Sequence, residues 1–178
     1  FTVVWDVSLK SLLIRIQKEL MEKEMVREEV QKAMRRATQL SKQAILYTHG
    51  GRLDEAGKLL RDAHGLFVKL RGVAKVHPDM VYMGMVDVAF QEYAEAQTLL
   101  HLVEENKFIG PDELGVPAVS YVLGLADVIG ELRRRALDML RRGDVKTAEN
   151  CLQTMEQIYV ELMSMDEAFM LVPGLRRK

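Results

Sequence analysis

The sequence predicts an all-α protein, an elongated antiparallel bundle of about five to seven helices. Leu, Lys, Glu, Met and Arg, which favour helices, are abundant along the chain. Residues 7–49 contain neither proline nor glycine, so one helix can run through all of them. No segment shows the sustained alternation of apolar and polar residues that is typical of a half-buried strand.

The composition is that of an ordinary globular protein and predicts one domain over residues 1–178. Charged residues make up 29% and the net charge is -1, which excludes a strongly basic nucleic-acid binder but allows a local basic patch. No apolar run is long enough for a membrane span, so no membrane partner is expected. Cys151 is the single cysteine, which favours a reducing cytoplasm, and its apolar neighbours predict a buried structural thiol.

The first helix, predicted over about residues 7–49, is longer than most globular helices, which suggests a bundle spine or a contact between subunits. Gly50 and Gly51 end it, since glycine readily takes the left-handed conformation after a helix. Its apolar arc consists of Val26, Val30, Ala33, Ala37, Leu40, Ala44 and Tyr47. Away from that arc lies a basic stripe, Lys32, Arg35, Lys42 and His49, which in a monomer would be a solvated face.

The second and third helices are delimited by glycine and proline. The second is predicted over about residues 53–73, where Gly72 and the His77-Pro78 pair break it. The third is predicted over about residues 79–105, with Pro78 in its first turn.

A loop over residues 106–116, with one short turn at 112–114, leads to the last two helices. Pro117 opens the fourth helix, which ends near residue 142. The fifth follows a glycine turn and is predicted to continue to about residue 171, just before a Pro-Gly pair.

Two helical hairpins share a spaced set of residues. Small residues near a glycine turn allow antiparallel helices to approach closely, and larger residues fill the gap farther along. The set is Ala44, Gly51, Ala56, Leu60, Phe67, Val68 and Leu70, repeated with the same spacing as Ala136, Gly143, Ala148, Leu152, Tyr159, Val160 and Leu162. Two copies do not form a repeat array, so the pattern predicts two similar hairpins.

Two glutamates lie on the predicted buried face of the third helix. At 100° per residue, Glu92 and Glu95 are about 60° apart, within the arc that holds Val88, Ala96 and Leu99. A buried, unpaired carboxylate costs several kcal/mol. These acids are therefore expected to be protonated, paired with a cation or bound to a metal.

A second acid pair, Asp127 and Glu131, lies on the fourth helix. Like charges four residues apart repel unless a positive charge lies between them. Both acids fall on the polar side of the helix, so a plain solvated face is an alternative. Arg135, four residues after Glu131, would then form an ordinary surface ion pair with it.

Several familiar sites are missing from the sequence. No histidine follows a glutamate in the Glu-x-x-His spacing of ferritin-like di-iron bundles, and there is no Gly-rich phosphate loop, Cys-x-x-Cys or His-Glu-x-x-His motif. An all-carboxylate site suits Mg²⁺ or Mn²⁺ rather than a softer metal, and no organic cofactor is expected. Such a site suits phosphodiester hydrolysis.

Residues 90–96 (FQEYAEA) and 121–132 (YVLGLADVIGEL) resemble the translin family, and within it the translin-associated factor X branch. The resemblance reaches back to Lys32 and forward to Tyr159, which is most of the chain. It implies an all-helical subunit in a hollow, usually octameric, closed oligomer. The short loop between the third and fourth helices resembles the archaeal single-gene members, which implies a homo-oligomer.

The resemblance also implies the site. Factor X carries the Mg²⁺-dependent endoribonuclease activity on single-stranded RNA in the mixed oligomer with translin. The family's catalytic, metal-binding acids correspond to Glu92, Glu95 and Asp127, with Glu131 as a fourth carboxylate nearby. The basic stripe becomes a candidate RNA-backbone contact, because a few confined cations can hold phosphate without a basic net charge.

Three functional hypotheses remain open at this point. The first is a metal-dependent endoribonuclease acting on single-stranded RNA inside a homo-oligomer. The second is a non-catalytic oligomer that binds single-stranded RNA or DNA, and the third is a helical scaffold that binds protein. The acids favour the enzyme, because a pure binder of a polyanion gains nothing from buried carboxylates.

Overall fold

The computed structural model describes residues 8–82, 84–165 and 171–175. Within these ranges the chain forms six α-helices and one short 3₁₀ helix, and no strand, so the all-α prediction is confirmed. The helices are α1 (Leu9–His49), α2 (Leu53–Ala74), α3 (Gly84–Glu105), α4 (Pro111–Leu114), α5 (Ala118–Arg141) and α6 (Val145–Met163), with the 3₁₀ helix at Pro78–Tyr82. The single-domain prediction stays a prediction.

The long helices form an antiparallel bundle. Helix α1 packs against α2 and α3, and α5 packs against α3 and α6. Gly51 and Gly143 turn the two hairpins with φ of 75° and 80°, a left-handed conformation that glycine adopts at little cost. In the core, the Phe67 ring stacks on Phe90 at 4.5 Å, a contact worth about 0.5–1.5 kcal/mol beyond burial. Helix α3 is therefore the central element, and it carries the first acid pair.

The second helix ends at Ala74, within one residue of the predicted end, with Gly72 inside its last turn. Two other predicted helix boundaries were wrong. The third helix begins at Gly84 rather than at residue 79, because a tighter 3₁₀ turn follows Pro78, with the amide of Met80 donating to the carbonyl of His77.

The fifth predicted helix, which is α6, ends at Met163 rather than near residue 171. Ser164 ends it, and its hydroxyl donates to the Glu161 carbonyl at 2.7 Å. A serine hydroxyl that donates to a backbone carbonyl of the preceding turn competes with continuation of the helix. In a sequence, a serine is a weaker stop signal than a Pro-Gly pair. At the other end of the chain, α1 starts at Leu9, where the Ser8 hydroxyl caps it.

The hairpin similarity holds for the turns but not for burial. Leu60 and Phe67 of α2 are buried, whereas their counterparts Leu152 and Tyr159 of α6 are 52% and 58% exposed. Helix α2 packs on α1 and, through the stacking of Phe67 on Phe90, on α3, while α6 packs mainly on α5. The N-terminal part of α1 is exposed in the same way, since its apolar side chains become buried only from Val30 onwards.

Two smaller predictions can also be compared with the structure. Cys151 is buried, as expected, and burial raises the pKa of its thiol, which suits a structural role. No helix in the described ranges combines the length and apolar character that crossing a membrane requires.

Candidate functional site

A pocket of about 490 Å³ lies between α1, α3 and α5. It is lined by Lys42, Ile45, Leu46, Glu92, Glu95, Asp127, Glu131 and Arg134. All four acids named from the sequence therefore line one pocket, although two come from α3 and two from α5. We call this the acidic pocket.

Glu95 is the most deeply placed acid. It is 8% exposed and lies on the side of α3 that faces the neighbouring helices, as predicted. The side chain of Glu92 is 20% exposed, at the pocket rim. Val88 was predicted on the same buried face, but its side chain is half exposed. The buried face of α3 therefore does not include Val88.

Glu92 forms an ion pair across the pocket. Lys42 Nζ of α1 lies 3.2 Å from Glu92 Oε1, and the lysine side chain is 62% exposed. This contact pairs Lys42, a residue of the basic stripe, with Glu92, one of the candidate metal ligands. Because the ammonium remains largely hydrated, the pair contributes no more than about 1 kcal/mol.

Glu131 is held by a histidine and an arginine. His49 Nε2 lies 2.6 Å from Glu131 Oε2, and Arg134 Nη1 lies 3.8 Å from the same oxygen. The hydrogen bond from His49, together with electrostatic attraction to His49 and Arg134, lowers the pKa of Glu131 despite the opposing effect of burial. The alternative of a surface ion pair with Arg135 was wrong, since His49 of α1 and Arg134 are the partners of Glu131.

Asp127 accepts a hydrogen bond from Gln91 at 2.7 Å between Nε2 and Oδ2. This bond joins α3 to α5 directly beside the acids. Asp127 and Glu131 are partly buried rather than lying on a solvated face, so that alternative was wrong. Sequence reasoning missed Gln91, a neutral residue whose only signal is its position next to Glu92.

The basic stripe is divided by the structure. Lys42 and His49 each contact an acid of the pocket. Lys32 and Arg35 are exposed on the earlier part of α1 and do not line the pocket. The His49 side chain is only 7% exposed, so a strand that follows α1 could contact Lys32, Arg35 and Lys42 but not this imidazole.

The pocket suits a hard cation by the chemistry of its ligands. Four carboxylates provide oxygen donors, which Mg²⁺ and Mn²⁺ prefer. Across the described part of the chain, no three or more His, Cys, Asp or Glu side chains are already grouped to hold an ion. A cation would have to compete with Lys42 for Glu92 and with His49 for Glu131.

Comparison with known proteins gives consistent matches. A family model described as the translin family matches residues 25–178. An uncharacterized protein of Methanocaldococcus jannaschii is 34% identical over 161 residues, which cover 89% of this chain and 71% of that protein.

Solved structures match the fold. The crystal structure of AfC3PO has a TM-score of 0.82 at 35% identity, covering 93% of this chain and 86% of that one. The structure of AfC3PO with duplex RNA has a TM-score of 0.81 at 34% identity, covering 93% and 85%. The crystal structure of apo-NeC3PO, with a TM-score of 0.80, covers 96% and 97%, but at 23% identity it supports the fold alone.

Proposed function

The chain belongs to the translin family, and on that premise we propose that it is an RNA-binding homo-oligomer whose acidic pocket cuts single-stranded RNA with the help of Mg²⁺. The observation that carries the proposal is the convergence of four carboxylates from two helices with Lys42 and Arg134 in one pocket. AfC3PO, at 34% identity, has been solved with duplex RNA, which supports RNA as the ligand.

Burial and charge suggest a separate role for each residue of the acidic pocket. Glu95, Glu92 and Asp127 would hold the cation, and Lys42 and Arg134 at the rim would bind phosphate oxygens next to the cleaved bond. When bound, Mg²⁺ would supply Lewis-acid activation of water and offset charge on the phosphate. Gln91 orients Asp127 from α3, and His49 orients Glu131 from α1. Glu131 is the fourth acid and a candidate base.

An enzyme fits this pocket better than a simple binder. Carboxylates repel phosphate, so a site that only binds RNA would be weakened by four of them. The same argument supports membership of the factor X branch, because that branch of the family carries the catalytic acids.

A non-catalytic RNA-binding oligomer is the second candidate. The specific observation in its favour is that Glu92 and Glu131 are already paired with Lys42 and His49, so these acids could serve to hold α1 against α3 and α5. Under this alternative the pocket would be a polar joint of the bundle, and RNA would bind elsewhere.

Self-association into an octamer-like closed particle is part of the proposal. The exposed apolar side chains on the N-terminal part of α1 and on α6 support it, because monomers rarely leave such surfaces uncovered. The exposed set is Leu9, Leu13, Ile14, Ile16, Leu20, Met21 and Met25 on α1, and Val145, Leu152, Tyr159, Val160 and Met163 on α6.

The deciding experiment is an RNA cleavage assay. Labelled single-stranded and duplex RNA would be incubated with the purified protein in Mg²⁺, in Mn²⁺ or in a chelator. We expect single-stranded RNA to be cut only with a divalent cation, and Glu95→Gln to abolish cutting. The matched control is Glu149→Gln, which changes an exposed carboxylate on α6 outside the pocket. Binding without cutting under every condition would favour the second candidate.

A further inference from the structure

Helices α3 and α5 touch backbone to backbone at Gly124. A Cβ atom built on Gly124 would lie 2.7 Å from the carbonyl oxygen of Gln91, 3.0 Å from the amide nitrogen of Glu95 and 3.1 Å from the Cβ of Ala94. Real Cβ atoms essentially never approach other atoms at under 3.0 Å. The two closest atoms belong to the α3 backbone, which cannot swing aside as a flexible side chain can.

This contact lies at the acidic pocket. Two of its three atoms belong to residues that shape the pocket, because Gln91 bonds Asp127 and Glu95 is the buried acid. On α5, Asp127 follows Gly124 by less than one helical turn. The separation of the helices at Gly124 therefore fixes how far Asp127 lies from Glu92 and Glu95.

We infer that Gly124 is a positioning residue for the acidic pocket. Its missing side chain lets α5 approach α3 closely enough for Asp127 to act with Glu92 and Glu95 on one cation. This inference rests on the proposed metal-dependent function. A methyl group added to Gly124 would lie 2.7 Å from the Gln91 carbonyl oxygen, whereas ordinary contact begins at 3.4 Å. The two helices would have to separate by about 0.7 Å there, and this shift would move Asp127 away from Glu92 and Glu95.

A second glycine on α5 provides the comparison. Gly130 is exposed, and apart from its own helix and chain neighbours no atom of the described residues lies within 4 Å of a Cβ built on it. Glycine inside a helix is less favourable than alanine, so a glycine with no close neighbour gains from replacement. Gly124→Ala and Gly130→Ala thus make the same change on one helix, and only the first meets a facing backbone.

The test measures Mn²⁺ binding in the absence of RNA. Titration followed by the EPR signal of free Mn²⁺ would give the dissociation constant for wild type, Gly124→Ala and Gly130→Ala, alongside melting temperatures. We expect Gly124→Ala to bind Mn²⁺ roughly 10- to 100-fold more weakly, as when the support of a metal ligand is displaced. Gly130→Ala should bind as wild type does and melt no lower.

A second variant covers the case in which Gly124→Ala does not fold. Ala94→Ser adds one atom from the α3 side of the same contact, where Ala94 is completely buried. It should also weaken Mn²⁺ binding.

If wild type binds Mn²⁺ and folded variants melt lower but bind it equally well, Gly124 is merely structural and the inference is overturned. If wild type neither binds Mn²⁺ nor cuts RNA, the proposed function itself is overturned.

Discussion

His49 Nε2 lies 2.6 Å from Glu131 Oε2, which joins the last residue of α1 to the middle of α5 across 82 positions of the chain. The imidazole is almost completely buried, while the carboxylate is 24% exposed at the acidic pocket. This bond connects two helices that are not sequential neighbours and orients one of the four acids. It also makes the stability of the bundle depend on the charge of Glu131.

The first prediction concerns acid pH. The pKa of Glu131 is lower in the folded protein than its ordinary value of 4.5. At pH values above 4.5 the ionised carboxylate therefore stabilises the fold. That contribution disappears as pH falls through the lowered, folded-state pKa. We expect the difference in urea midpoint between wild type and Glu131→Gln to be largest near pH 7 and to shrink well below pH 4.5. Glu149→Gln, the exposed control, should show no such convergence.

The second prediction concerns the basic stripe. Lys42→Ala and Arg35→Ala should each weaken RNA binding across all sequences and flatten its salt dependence. The slope of log K against log salt should fall by about 0.7 for each phosphate of a single strand that is no longer neutralised. Lys69→Ala, an exposed lysine on α2, is the control and should change neither quantity. Unchanged affinity and slope in both stripe variants would identify the stripe as a solvated face.

The third prediction concerns assembly. Leu13 and Leu20 are 54% and 60% exposed, on the part of α1 that precedes its buried segment. Changing both to lysine should reduce the particle mass measured by light scattering, because charge is costly to bury between subunits. Val76→Lys, at a 73% exposed site between α2 and the 3₁₀ helix, should leave the mass unchanged. A stable 20.3 kDa wild-type monomer at micromolar concentration would contradict self-association.

The sequence predicts well what depends on local spacing. The buried part of α1 from Val30 to Ala44, the glycine turns and the position of Glu95 all follow from helical periodicity and the conformational preferences of glycine. Helix ends were harder to predict, because α6 ends before Ser164, whose hydroxyl donates to the Glu161 carbonyl, and a single serine is a weaker stop signal in a sequence than a Pro-Gly pair.

Contacts between distant elements could not be predicted in this way. Local spacing offered Arg135 as the partner of Glu131, yet packing of α1 on the bundle supplies His49 instead. Gln91 and Gly124 are uncharged, and although they lie within the two segments that carry the family resemblance, nothing in either segment assigns them a role. Their roles depend on how closely α3 and α5 cross, and this distance is set by tertiary packing rather than by either helix alone.

The last prediction separates chemistry from architecture at the acids. Glu92→Gln, Glu95→Gln and Asp127→Asn keep the shape of each side chain but remove its charge. If the acids hold a catalytic cation, cleavage should fall by orders of magnitude in all three variants. RNA binding should persist or tighten, because repulsion between carboxylate and phosphate is removed.

Stability gives the independent measurement. The ammonium released by Glu92→Gln belongs to Lys42, which is 62% exposed and can be hydrated, so we expect a loss below about 1 kcal/mol in that variant. Glu95→Gln and Asp127→Asn should melt near wild type, because an amide keeps the shape of the side chain and its oxygen can still accept a hydrogen bond such as the one that Gln91 donates to Asp127. If the acids instead hold the bundle together, the same changes should cost about 3–5 kcal/mol wherever a buried partner is stranded. Melting and cleavage measured on the same three proteins distinguish these outcomes, and cleavage retained in all three would remove the acidic pocket as the catalytic site.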